Sequence, residues 1–96
     1  MPFVYMLRCS DDSLYVGYTE DVDSREHTHN EGRGGTYTAR RRPVRLVYVE
    51  RCASTRAARE RERQLKRWSG VKKEALIAGD VIHLKLLSRR RQRHPH

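Results

Sequence analysis

The sequence predicts a small α+β domain, a three-stranded antiparallel sheet flanked by helices in the order β-β-α-β-α-α. Three observations carry this prediction. Phe3-Val4-Tyr5-Met6-Leu7 and Ser13-Leu14-Tyr15-Val16-Gly17 are rich in aromatic and β-branched residues, and the polar stretch Ser10-Asp11-Asp12-Ser13 joins them, which is the pattern of a β-hairpin. Val44-Arg45-Leu46-Val47-Tyr48-Val49-Glu50 is the clearest strand in the chain. Two charged segments, one after each strand region, begin at residues suited to capping a helix.

Taken in order, the strands of the hairpin are expected over residues 3–9 and 14–18. Gly17 interrupts the second, where a missing side chain signals a bulge or a close approach of the backbone. Thr19 can cap a helix over residues 20–30, with Glu20, Asp21 and Asp23 placing negative charge in its first turn. That helix has almost no apolar face beyond Val22, so its order must come from docking on the sheet. Arg25 and His29 are four apart and share one of its faces, while His27 lies off that face and is expected in solvent. Gly32-Arg33-Gly34-Gly35 reads as a turn without a P-loop or dinucleotide pattern. Tyr37 can stack on a base or cap the core, and Arg40-Arg41-Arg42 reads as a solvated, mobile clamp on a nucleic-acid backbone.

After the third strand, Ser54 or Thr55 caps a helix over residues 56–68 whose apolar stripe is Ala57, Ala58, Leu65 and Trp68. Glu62 sits at the edge of the stripe and needs a partner: an arginine, a metal ion, or Lys66 at i+4. Arg61 projects nearer the centre of the stripe, and helical spacing alone supplies no reason for it. Ser69-Gly70 breaks the helix, a short further helix covers residues 72–78, and residues 81–87 form a last strand or a docked extended segment. From residue 88 the chain becomes a basic tail that is expected to be disordered when free.

The 96 residues suit one domain with a modest core, since 36% are hydrophobic and 34% charged. No apolar run approaches the ~20 residues that span a bilayer, and the start of the chain lacks a signal-peptide pattern, so the expectation is a cytoplasmic protein with no membrane partner. Cys9 and Cys52 make neither a zinc knuckle nor a disulfide framework. The net charge of +9, mostly from arginine, favours a polyanionic partner, most simply DNA or RNA.

With these elements in order, the chain resembles the GIY-YIG nuclease family, in particular its small stand-alone bacterial members. The two signature triplets are Phe3-Val4-Tyr5, which lacks the glycine, and Tyr15-Val16-Gly17. The resemblance continues through Asp21-Val22, Arg25, His29, Gly32, Tyr37-Thr38, Pro43, Leu46-Val47-Tyr48, Arg61-Glu62-Arg63-Gln64-Leu65-Lys66-Arg67-Trp68 and Lys73-Glu74-Ala75-Leu76-Ile77. It implies a nuclease-like domain over residues 1–87 and a separate basic tail over residues 88–96. The better-known nucleases of the family also carry an asparagine after the glutamate helix, whereas the one asparagine of this chain is Asn30.

What the resemblance implies is hydrolysis of a phosphodiester, in DNA rather than RNA, with one divalent cation, Mg2+ or Mn2+, held by Glu62. Arg25 would bind the scissile phosphate. Tyr5 or Tyr15 would be the general base, assisted by His29. A phenol ionises near pH ~10, so this role asks for positive charge, from Arg25, the cation or both, to favour the phenolate. Contacts to nucleic acid are expected from Gly17, Arg33, Tyr37, Arg40, Arg41, Arg42, Arg59, Arg63, Lys66 and Arg67. The alternative is a nucleic-acid-binding module of the same fold with weak or no catalysis. The oligomeric state, the pathway and the structure of the substrate are left open.

Overall fold

The computed structural model describes residues 1–79, so the segment 81–87 and the basic tail lie outside the described residues. β1 (Phe3–Arg8) is the central strand, with β2 (Leu14–Thr19) on one side and β3 (Arg45–Arg51) on the other, both antiparallel to it. The hairpin turn closes because Asp11 Oδ1 accepts from the Ser13 amide at 3.0 Å and from its hydroxyl at 2.6 Å. Asp12 takes the left-handed backbone at φ 67°, which a short polar residue tolerates.

Register decides what each face carries. Tyr5 lies opposite Gly17 and Leu7 opposite Tyr15, so these four share a face, and Val4 and Met6 point to the other. On the first face Tyr5, Leu7, Cys9 and Val44 form a buried cluster against which Tyr15, Val22 and Leu46 pack. The pairing of β1 with β3 shifts between Met6, opposite Tyr48, and Leu7, opposite Leu46. Val47 is the extra residue of this bulge.

α1 (Val22–Asn30) is capped by Asp21, whose side chain accepts from the Ser24 amide, and not by Thr19. Thr19 still belongs to β2 and its hydroxyl accepts from the Asp21 amide at 3.1 Å, holding the residue that does cap. Since Val22 is the one apolar residue of α1, polar ties dock it. Glu26 accepts from the Leu46 amide at 2.6 Å, and the Asn30 side chain accepts from the Val44 amide at 2.7 Å while donating to the Val44 carbonyl at 2.9 Å. The single asparagine is thus committed to the fold. An Asn30→Ala variant is expected to lose about 2 kcal/mol of stability, two hydrogen bonds to backbone that is left partly buried. An unchanged urea midpoint would show that the ties contribute nothing.

α2 (Thr36–Ala39) is a four-residue helix that the predicted order does not contain. It follows Gly35, which adopts φ 116°, and it carries the buried Thr38. α3 (Thr55–Lys66) packs on β2 and β1, with Ser54 accepting from the Ala57 amide at 3.0 Å and Ala58 and Leu65 buried. The helix ends two residues earlier than the spacing predicts, before Trp68. Arg61 is accounted for: its guanidinium grips both carboxylate oxygens of Glu50 on β3, at 2.9 and 3.1 Å, and Glu50 also accepts from the Tyr48 hydroxyl at 2.5 Å. Burial and this carboxylate push the Tyr48 phenol up to about 12.

The chain packs as two compact units, and everything above belongs to the first, Met1–Lys66. In the second, α4 (Gly70–Ala78) starts at Ser69, which accepts from the Lys72 amide at 3.1 Å, and stops at Gly79 in the left-handed region at φ 72°. Lys72 lies 4.1 Å from the centre of the Trp68 ring.

Candidate active site

A polar cleft of about 630 Å³ opens over the Tyr5 side of the hairpin. Five residues that the sequence marks for chemistry line it together: Tyr5 from β1, Tyr15 from β2, Arg25 and His29 from α1, and Glu62 from α3. Tyr5 and His29 are nearly inaccessible, at 2% and 1% exposed. The Tyr5 hydroxyl meets His29 Nε2 at 3.0 Å, and His29 Nδ1 meets the Thr38 hydroxyl at 2.6 Å. Tyr15 leans on the same histidine, with ring centroids 4.9 Å apart. The Arg25 guanidinium is exposed and has no ion pair among the described residues, leaving its donors for an anion.

Two glycines make this arrangement sterically possible. A Cβ on Gly17 would stand 2.5 Å from the Tyr5 hydroxyl, and one on Gly34 would stand 2.1 Å from His29 Nδ1. The close approach expected at Gly17 exists, and its immediate partner is the Tyr5 ring. Gly34 has the same task at the histidine.

The surroundings of Tyr5 set its proton affinity. Burial raises the Tyr5 phenol above its ordinary value, Tyr15 and Glu62 add to this, and the opposing pull of Arg25 does not outweigh them. Arg25 alone therefore does not favour the phenolate. Burial, with Arg25 second, lowers the His29 imidazole and keeps it neutral. In the unfolded chain the same group takes up a proton as pH falls through about 6.5, so folding excludes that proton and stability falls with acid from there toward the lower folded value. The urea midpoint is expected to drop between about pH 7 and about pH 5.5, with a shallower slope in a His29→Gln variant. Equal slopes would remove His29 from the account.

Glu62 is 20% exposed in its side chain and pairs loosely with Lys66 Nζ at 3.5 Å, so the helical partner and the cleft position coexist. Among the described residues no three or more His, Cys, Asp or Glu side chains form a metal-binding group. One carboxylate at a polar cleft open to solvent fits a hard cation that keeps several waters, as Mg2+ or Mn2+ does, and does not fit a zinc-type cage.

The expected nucleic-acid contacts divide. Gly17 lines the cleft, and Arg33, Tyr37, Arg40, Arg41, Arg42, Arg59, Arg63 and Lys66 do not. Arg41 and Arg42 also have partners within the fold. Arg41 pairs with Asp11 at 3.0 Å, donates to the Tyr37 carbonyl at 3.0 Å and covers the Tyr37 ring at 3.8 Å. Arg42 donates to the Ala39 carbonyl at 3.0 Å. Arg40 is exposed beside a second shallow cleft of about 480 Å³, lined also by Asn30, Ala39, Arg42 and Pro43. Arg33 pairs with Glu31, and His27 pairs with the same glutamate in solvent. Arg59, Arg63 and Arg67 are exposed. Thr38 and Gly34 contact His29, yet neither is among the residues that the sequence marks for chemistry: Thr38 stands there only within the family resemblance and Gly34 only within a turn. The Gly34-Gly35 doublet is the one local signal of a close approach, and nothing in the spacing ties Thr38 to His29.

Comparisons with known proteins agree with this architecture. The family model described as the GIY-YIG catalytic domain matches residues 1–75. A UPF0213 protein of Natronomonas pharaonis is 46% identical over 79 residues, 82% of this chain and 93% of its own. A UPF0213 protein of Bacillus pumilus is 47% identical over 75 residues, 78% of this chain and 76% of its own. The solution NMR structure of the UPF0213 protein BH0048 from Bacillus halodurans superposes with a TM-score of 0.52 at 43% identity, covering 81% of this chain and 84% of that one.

Proposed function

Because the chain belongs to the GIY-YIG family, we propose that it is an endonuclease that hydrolyses phosphodiester bonds in nucleic acid, DNA before RNA, using one Mg2+ or Mn2+. The observation that carries this reading is the convergence of Tyr5, Tyr15, Arg25, His29 and Glu62 on one polar cleft. Glu62 would hold the cation, which when bound supplies positive charge to the phosphate and its leaving oxygen.

The rest is done by the chain's own side chains. Arg25 binds a non-bridging oxygen of the scissile phosphate and offsets the charge that grows there. The attacking water gives its proton to the Tyr5 oxygen as the Tyr5 proton moves to His29 Nε2. The water oxygen attacks phosphorus as hydroxide, the bond from phosphorus to the leaving oxygen breaks, and that oxygen departs as an alkoxide that takes a proton from solvent, while the extra proton of the His29 imidazolium returns to solvent. Routed this way, the proton needs no preformed phenolate, which suits a phenol that burial keeps neutral. Exposed Arg40, Arg59 and Arg63 contribute sequence-independent attraction to the backbone, screened by salt. A role in DNA repair or processing and a cytoplasmic location fit a small structure-selective nuclease of this kind.

A panel of branched, nicked and linear DNA with Mg2+, Mn2+ or EDTA tests the reading. Metal-dependent cleavage is expected, reduced roughly 10- to 100-fold by Arg25→Ala, the value of a charge-assisted contact to phosphate. The competing reading, a binding module, is favoured by the use of Asn30 in the fold instead of in the cleft. Salt-dependent binding with no cleavage of any substrate under either metal would establish that module and end the enzyme proposal.

A further inference from the structure

The buried hydrogen-bond chain from α2 to β1 gives a role to Thr38, to which the family resemblance assigns none. We propose that Thr38 is a positioning residue: its hydroxyl holds the Nδ1 proton of His29 and so turns the bare Nε2 lone pair toward the Tyr5 hydroxyl. The proposal rests on the nuclease reading only for its catalytic consequence, since the geometry itself stands apart from any substrate.

Three observations carry it. The Tyr5 hydroxyl is covered on one side by the Gly17 backbone, and His29 Nε2 at 3.0 Å is its one hydrogen-bond partner among the described residues. A phenol that donates to Nε2 needs that nitrogen bare and the ring proton on Nδ1, where the second partner can hold it. The second nitrogen faces a fully buried hydroxyl at 2.6 Å, a short contact to a group that accepts as readily as it donates. Thr38 itself is fixed by α2, whose start at Gly35 and turn back toward α1 place it nine residues after the histidine it orients. No buried polar side-chain atom among the described residues lacks a partner, so the chain is fully satisfied as it stands.

The consequence for the reaction is that the ring presents an acceptor, and not a donor, to the tyrosine that takes the proton from water. With the proton on the other nitrogen, Nε2 would donate to the Tyr5 oxygen and the relay would have nowhere to pass the Tyr5 proton. Removing the hydroxyl while keeping the shape, as in Thr38→Val, releases that constraint, and Thr38→Ser restores it.

The test reads the ring directly. In 15N-labelled protein without metal or DNA, the two ring nitrogens of His29 are assigned by NMR, where protonated and bare nitrogens of a neutral imidazole are widely separated. The parent and Thr38→Ser are expected to show protonated Nδ1 and bare Nε2, and Thr38→Val a mixture or the opposite tautomer. Alongside, kcat for DNA cleavage is expected to fall at least roughly tenfold in Thr38→Val with unchanged DNA affinity and to recover in Thr38→Ser, as for a histidine held in the wrong tautomer. A proton on Nε2 in the parent overturns the proposal, and so does a Thr38→Val ring identical to the parent's. If Thr38→Val does not fold, the parent spectrum decides. If the parent cleaves nothing, the nuclease reading fails while the ring assignment still upholds or rejects Thr38.

Discussion

A Glu62→Gln variant is expected to bind DNA at least as well as the parent and to cleave it on the order of 1000-fold more slowly. The substitution keeps the length and the hydrogen-bonding oxygen of the side chain and removes only its charge, which is what a hard cation requires of it. Stability should hardly change, because the substitution weakens only a loose helical ion pair with Lys66 at 3.5 Å. Binding should hold or tighten, since a negative charge leaves a cleft that receives a phosphate. The measurement is a single-turnover rate in Mg2+ beside a binding isotherm at the same salt. A variant that cuts at the parental rate would remove Glu62 as the cation's ligand, whatever the rest of the cleft did.

Gly34→Ala is expected to cost about 3 kcal/mol, at the upper end of what overpacking a buried site does. The added Cβ would stand 2.1 Å from His29 Nδ1 and 2.4 Å from Cγ, far inside van der Waals distance. His29 cannot yield cheaply. Its ring is 1% exposed, is bonded at both nitrogens, and has Tyr15 against it. Relief must come from breaking one of those bonds or moving the loop before α2, so cleavage and stability should fall together. For a domain of this size the melting temperature should drop by roughly 12–24 °C. A drop of only a degree or two would mean that the loop gives way easily and that the histidine is not held as described.

The two substitutions separate the layers of the site. Glu62→Gln touches charge and leaves the packing, whereas Gly34→Ala touches packing and leaves every charge in place.

Much of the site was legible because helices and strands have short periods. The spacing of Arg25 and His29 put both on one side of α1, and both do line the cleft. Glu62 at the edge of the α3 stripe needs a partner, and it has Lys66 and a place in the cleft lining. The scarcity of apolar residues in α1 implies that docking must hold it, although not that Glu26 does so through the backbone of β3 and Asn30 through the residue just before that strand. Composition counts the charges of the arginine triplet and cannot say which of them also have partners within the fold. Arg41 and Arg42 are held by carbonyls, and Arg41 also by a carboxylate from the hairpin turn, interactions that exist only once the chain has folded back.

By itself, the sequence determined the hairpin, the third strand, the order of the elements and the set of side chains available for phosphate chemistry, because each is written in residues two to four apart. Only the tertiary structure decided how those side chains behave. It linked Tyr5 to His29 across 24 residues and His29 to Thr38 across nine, and it set Gly17 and Gly34 against the rings they accommodate. It also kept the Tyr5 phenol and the His29 imidazole neutral. Proton affinity depends on how much water and charge surround a group, and that is fixed by packing between distant segments, which no local period encodes.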